Sequence, residues 1–257
     1  MARFDKLEFN SQAKAKETEL SVSLTNRDQS QWMDEADHER RVGHFETALR
    51  YYSRALELDR VILAAWVGQV QMLVQLGECP EADLWARKSL EVFPGNAELT
   101  AGRAQALCRT GDLKQAQELS DGSFAREGSS AYRWMVRGEL LLCQRQKTDD
   151  HCFSKAMQVD SDWLVPVEIG LICRYHNAPS QALKYLRTAI EKAPDQPYPW
   201  YVTGLCQSDL ESVGAAINSF QRCVDITPGH EDARQQIANL SNRSFSPARW
   251  LRRLWRR

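Results

Sequence analysis

The chain has 257 residues, 43% apolar and 26% charged, with a formal net charge of −1 and a mean hydropathy of −0.51. That composition supplies a core but no lipid-spanning excess, which excludes an integral helical membrane protein. The longest apolar stretch, 61–76, is broken by Gln69, Gln71 and Gln75, so it reads as a core helix rather than a membrane span.

Residues 1–28 come first. Arg3, Asp5, Lys6, Glu8, Lys14, Lys16, Glu17 and Glu19 leave no apolar signal region, so the chain is expected to be cytoplasmic. The segment itself reads as a mobile polar extension, with helix confined to 11–20. From there tryptophan recurs on a ruler: Trp32, Trp66 and Trp134 stand 34 or twice 34 residues apart, and Trp200 follows Trp134 by 66. A fixed period of this size means stacked structural repeats, which build recognition surfaces far more often than catalytic pockets.

Six windows align on this period. Residues 29–62 carry Trp32, Ala36, Ala48, Tyr52 and Ala55, and residues 63–96 carry Trp66, Val70, Ala82, Ala86, Ser89 and Pro94. Residues 97–130 carry Ala104, Leu107, Gly111, Ala116, Ser120 and Ser123, with Thr100 in the tryptophan slot and a second helix that looks weak. Residues 131–162 carry Trp134, Gly138, Leu141, Phe153 and Ala156, with one residue missing between the two helices. Residues 163–196 carry Gly170, Ala182, Leu186, Ala189 and Pro194, with Pro166 in the tryptophan slot. Residues 197–230 match best, with Trp200, Gly204, Ala216, Phe220, Cys223 and Pro228.

This pattern resembles the tetratricopeptide repeat, a 34-residue helix-turn-helix with a bulky residue at position 4, small ones at 8, 20 and 27, a large one at 24 and Pro near 32. The resemblance implies an all-α, right-handed superhelical solenoid of about six repeats, with a C-terminal cap helix expected at 231–242. Small residues let the helices of a hairpin approach closely, while bulky ones fill the gaps between hairpins. Pro94, Pro194 and Pro228 stop one hairpin and start the next, and Gly77 and Gly111 suit left-handed caps after first helices. One departure recurs: family position 7, usually Leu, holds Glu35, Gln69, Arg103, Arg137, Ile169 and Thr203. Either the first helices are rotated so that these groups reach an edge, or their stems are buried with heads escaping to solvent; the second is preferred.

Chemistry-bearing residues are sparse. The seven cysteines, Cys79, Cys108, Cys143, Cys152, Cys173, Cys206 and Cys223, include no Cys-x-x-Cys pair and mostly fall on apolar repeat positions, so they read as reduced, buried thiols. Asp149, Asp150, His151 and Cys152 are adjacent, but successive helical residues point about 100° apart, so at most two could face one ion. No phosphate loop, nucleophile elbow or helical His pair occurs, and His38, His44, His151, His176 and His230 read as solvated surface groups. No enzyme activity, metal or cofactor is expected.

Family ligands usually lie against the first helices, at positions 2, 5, 9 and 12. Almost no Lys or Asn occupies those slots, which argues against a carboxylate clamp for acidic chaperone tails. In the last three repeats the slots become apolar and aromatic, and Tyr132, Met135, Val167, Leu171, Tyr198, Tyr201 and Leu205 are the candidate partner-binding residues on the concave face. The competing reading is that tight winding buries much of this row.

The tail, 243–257, is the second candidate site. If helical, Trp250, Leu251, Leu254 and Trp255 share one face and Arg249, Arg252, Arg253, Arg256 and Arg257 cover the rest. From Arg243 onward there are six Arg and no acid, so the net −1 implies −7 for everything before it. Arg249, Trp250, Arg252, Arg253, Trp255, Arg256 and Arg257 are therefore candidates for an anionic membrane surface or other anionic partner, with nucleic acid disfavoured because no basic patch stands elsewhere. The expected function is a non-enzymatic adaptor or scaffold holding a peptide or helix of a partner protein. The second reading is a peripheral membrane-associated protein working through its tail.

Overall fold

The computed structural model describes residues 28–146 and 149–244, which form thirteen helices and no strand. The readings of the N-terminal extension and the Arg/Trp tail lie outside those residues. The helices are α1 (Gln29–Val42), α2 (Phe45–Leu58), α3 (Leu63–Gln75), α4 (Cys79–Val92), α5 (Ala97–Thr110), α6 (Leu113–Phe124), α7 (Ala131–Cys143), α8 (Asp149–Val159), α9 (Leu164–Tyr175), α10 (Pro179–Lys192), α11 (Pro197–Asp209), α12 (Val213–Ile226) and α13 (Glu231–Ser244). They alternate as the first and second helices of six hairpins plus a cap, an all-α repeat solenoid. Two compact units divide the chain, residues 1–152 and residues 153–257.

The second helix of the third hairpin, weak in sequence, does form: α6 runs for twelve residues and buries Ala116, Ser120 and Ser123 against its neighbours. Asp112 starts it by accepting the Gln115 N–H at 3.1 Å. This cap and three small buried residues are sufficient because the helix draws its stability from packing rather than from its own propensity. Asp28, Asn96 and Ser130 start α1, α5 and α7 in the same way.

The first helix of every hairpin ends on one turn. Gly43, Gly77, Gly111, Arg145, Asn177 and Glu211 occupy the same repeat position, and all six have φ between 56° and 95°. In each, the next N–H reaches back to the carbonyl four residues before that position, as in Glu78 to Leu73 at 2.9 Å and Ser212 to Gln207 at 2.9 Å. A side chain in this left-handed region costs about 1–2 kcal/mol, whereas glycine costs little there. Glycine gives part of that back through its freer unfolded chain, about 0.5–1 kcal/mol. Glu211→Gly is therefore expected to stabilise the second unit by up to about 1 kcal/mol, and Gly111→Ala to destabilise the first by about as much. Thermal unfolding of the two variants checks the sign: a melting point that falls for Glu211→Gly would refute this account of the turn.

The tryptophan ruler has a polar cause as well as a packing one. The Trp66 indole N–H donates to the Arg60 carbonyl at 2.8 Å, that of Trp200 to the Pro194 carbonyl at 3.0 Å, and that of Trp134 to Ser129 Oγ at 2.9 Å. Each ring thus ties down the turn that precedes its own hairpin. In the first unit Trp66 also meets Trp85, centroid to centroid 5.9 Å, inside a cluster with Trp32, Tyr52, Met72 and Leu99. In the second, Phe153 packs edge-on to Tyr185 at 5.5 Å, and Phe220, Cys223 and Leu240 anchor the cap.

Position 7 corrects a sequence reading. At Gln69, Arg103 and Arg137 the polar heads are not simply released to solvent; they turn toward the second helix of the preceding hairpin. Gln69 Nε2 donates to Ser53 Oγ at 3.2 Å, Arg103 Nε to Asp83 at 2.8 Å, and the Arg137 guanidinium to Asp121. In the second unit Ile169 is buried, and Thr203 donates into its own helix, to the Pro199 carbonyl at 2.8 Å.

Candidate functional site

The first-helix face differs between the two units. In the first, the position-9 side chains Gln71, Gln105 and Glu139 are buried. Glu139 receives Gln105 Nε2 at 2.6 Å and Arg109 Nε at 2.7 Å, and Arg109 Nη1 continues to the Val74 carbonyl at 2.8 Å. The ion pair is almost dry, with the two side chains 2% and 0% exposed. Tyr132 donates its hydroxyl to Gln105 Oε1 at 2.7 Å, so this candidate anchor is engaged by the network. Met135 is 3% exposed and belongs to the core. The polar slots that a ligand would use here hold neighbouring repeats together.

In the second unit Val167 and Tyr198 are also core, 0% and 5% exposed. Burial pushes the Tyr198 hydroxyl well above its ordinary pKa, with Glu168 adding to the shift. Leu171, Tyr201 and Leu205 are only half-buried. Leu171 on α9 and Leu205 on α11 hold the same register of neighbouring first helices. One turn further on, Arg174 Nε pairs with Asp209 at 2.6 Å, both about a third exposed, and Tyr175 is 49% exposed beside them. Tyr201 lies 5.7 Å from Phe220 and 4.8 Å from His230, ring to ring. Burial raises its pKa, and Asp232 raises it further. The seven candidate residues therefore separate into three core side chains, one network member and three half-buried groups that share the second unit.

Two roles escaped the sequence. His230 is more than a solvated surface group: besides meeting Tyr201, its Nδ1 accepts the Ala233 N–H at 3.3 Å at the start of α13. Arg133 lies buried and donates to the Ser123, Arg126 and Gly128 carbonyls at 2.5, 3.2 and 2.7 Å. It closes the end of α6, where three of the other repeats, at Pro94, Pro194 and Pro228, have a turn proline and this one has Gly128. His151 is exposed, with its ring 6.4 Å from Trp134.

Six of the seven cysteines are buried and Cys143 is half-buried. Burial pushes the Cys206 and Cys223 thiols up to about 12, which makes them poor nucleophiles. Among the described residues no three His, Cys, Asp or Glu side chains converge as a metal site would, and no helix is long and apolar enough to cross a membrane. Arg249, Trp250, Arg252, Arg253, Trp255, Arg256 and Arg257 lie outside the described residues.

Comparison with known proteins agrees with the repeat. A family model described as "Tetratricopeptide repeat" matches residues 33–97, most of the first two hairpins. The Caenorhabditis elegans tetratricopeptide repeat-containing protein trd-1 is 25% identical over 176 residues, 68% of this chain but 18% of that protein, so the chain spans under a fifth of the relative's length. A tetratricopeptide repeat protein from Parabacteroides merdae superposes with a TM-score of 0.51 at 13% identity, covering 83% of this chain and 84% of the other. A thermophilic one from Thermus thermophilus gives 0.49 at 12% identity, covering 82% and 98%. Six helix pairs closed by one recurrent turn, with tryptophans on one period, are built like the tetratricopeptide repeat, and that family model matches the first two of them over residues 33–97.

Proposed function

We propose that the chain is a non-enzymatic adaptor that holds an amphipathic segment of a partner protein on the first-helix face of its second unit. Tetratricopeptide-repeat proteins are generally protein–protein interaction scaffolds without catalysis of their own. The observation that carries the finer reading is the half-buried row Leu171, Tyr201 and Leu205, bordered by the Arg174–Asp209 ion pair and exposed Tyr175. Such a row offers apolar area beside groups that fix orientation, which suits the apolar stripe of a helix or extended peptide. Val167 and Tyr198 support this reading only as the core of that unit, while Met135 and Tyr132 belong to the first unit, one in its core and the other bonded to Gln105.

The test uses a displayed peptide library panned against the intact chain, with hits measured by calorimetry. Leu171→Glu with Leu205→Glu is expected to weaken them at least about tenfold, or about 1.4 kcal/mol, without lowering the melting point appreciably. A chain ending at Arg243 should bind them unchanged. Hits that ignore the double variant but need residues 244–257 would transfer the function to the Arg/Trp tail.

A further inference from the structure

His230 stands where the cap helix α13 begins. Its Nδ1 accepts the Ala233 N–H at 3.3 Å, the bond by which an N-cap side chain satisfies the third amide of a helix. Its ring lies 4.8 Å from that of Tyr201, tilted by 35°, and its backbone N–H donates to the Thr227 carbonyl at 3.0 Å. Ala233 and Leu240 of α13 are buried in one cluster with Phe220 and Cys223, against which Tyr201 packs. Asp28, Asn96, Asp112 and Ser130 cap their helices with oxygen atoms. At α13 the acceptor is a ring nitrogen, and histidine titrates near neutrality. An imidazolium carries a proton on both nitrogens, so its Nδ1 donates and no longer accepts.

We propose that His230 makes the cap helix pH-sensitive: the neutral ring closes the first turn of α13, and protonation opens it. Around the ring stand Tyr201 from α11, Cys223 from α12, and Glu231, Asp232 and Arg234 from α13 itself, while Arg174 of α9 acts on Tyr201 and is paired with Asp209. Burial raises the pKa of both Tyr201 and Cys223, so neither changes charge near neutrality. Glu231 and Asp232 favour the imidazolium, but both are exposed and screened, and Glu231 faces Arg234 at 3.8 Å. The positive end of the helix and the lost Ala233 bond act against it and prevail. With the bond closed, the folded chain holds fewer protons at this ring than the unfolded chain does. The stabilisation is therefore complete above the ordinary histidine value of about 6.5 and is lost as the pH falls below it. Through Tyr201 the opening reaches the first-helix face; that consequence rests on the docking role proposed above, whereas the cap itself does not.

The experiment follows amide hydrogen exchange in the full-length chain at pH 7.5 and 5.5, corrected for the intrinsic pH dependence of exchange, with no peptide added. The Ala233 amide is expected to lose protection about fivefold on acidification, the loss of one cap. The Leu99 amide, capped by the non-titrating Asn96 at 3.0 Å, should keep its protection. In His230→Asn, which caps without titrating, the Ala233 amide should be equally protected at both pH values. An equal loss at Ala233 in His230→Asn, or at Leu99 in the wild-type chain, would overturn the proposal. Nitrogen-15 spectra of the wild-type chain at pH 7.5 decide the matter even if the variant fails to fold. They should show the His230 proton on Nε2, and a proton on Nδ1 would refute the cap.

Discussion

Glu139→Leu is expected to lower the stability of the first unit by about 3–5 kcal/mol, the range for breaking a buried ion pair. The carboxylate receives Arg109 and Gln105 together, and the Arg109 guanidinium is 2% exposed. Removing the acid takes from that cation, in a low-dielectric interior, the carboxylate it is paired with, and leaves Gln105 Nε2 without the oxygen it donates to. Attraction between the charges does not have to be large for this to hold, because most of the loss is the penalty on the survivor. The companion Arg109→Met is expected to be similarly costly. The double variant should lose less than either alone, since well-packed apolar groups replace a desolvated pair at little net cost. Urea unfolding of the four proteins closes the cycle. If the double variant loses the sum of the two single losses, the pair is not coupled and this view of the network is wrong.

Gly204→Ala should destabilise the second unit by about 1–2 kcal/mol, although alanine is the better helix former by about 1 kcal/mol. A Cβ at Gly204 would stand 2.6 Å from the Phe220 ring, and that ring is fully buried with its neighbours closed around it. Neither the ring nor α11 can retreat without opening the hairpin, so overpacking outweighs propensity. Gly214, on α12, has nothing within 4 Å of the same added carbon, and Gly214→Ala should stabilise by about 0.5–1 kcal/mol. Combining Gly204→Ala with Phe220→Leu, which shortens the obstructing side chain, should recover part of the loss. Equal melting-point gains for Gly204→Ala and Gly214→Ala would show that the hairpin tolerates the closer contact.

The repeat was legible in the sequence because its requirements are local and recur. A small residue where two helices cross, a large one between hairpins and, after three of the second helices, a proline are fixed by chain geometry within about 34 residues. Trp32, Trp66, Trp134 and Trp200 could therefore be placed before any coordinates were known, and so could Gly170, Gly204 and Phe220. The recurrent turn was legible only where glycine marks it. Arg145, Asn177 and Glu211 adopt the same left-handed backbone without that mark, since the hydrogen bonds across the turn outweigh the local strain.

Exposure was not legible. Residue type and repeat position gave Met135, Val167, Leu171, Tyr198, Tyr201 and Leu205 equal standing. How far one first helix overlaps the next depends on the sum of side-chain volumes between them, which no single position encodes. That packing puts Met135, Val167 and Tyr198 in the core and leaves Leu171, Tyr201 and Leu205 at the surface of their unit. Partner choice among polar groups was equally hidden. Arg109 meets Glu139 from 30 residues away, and Arg133 reaches back across a turn to close α6. By itself, the sequence determined the hairpin count, the small and large packing positions and the tryptophan spacing. Only the tertiary structure decided which side chains remain outside and which charges face each other, because burial and pairing are properties of assembled surfaces rather than of residues.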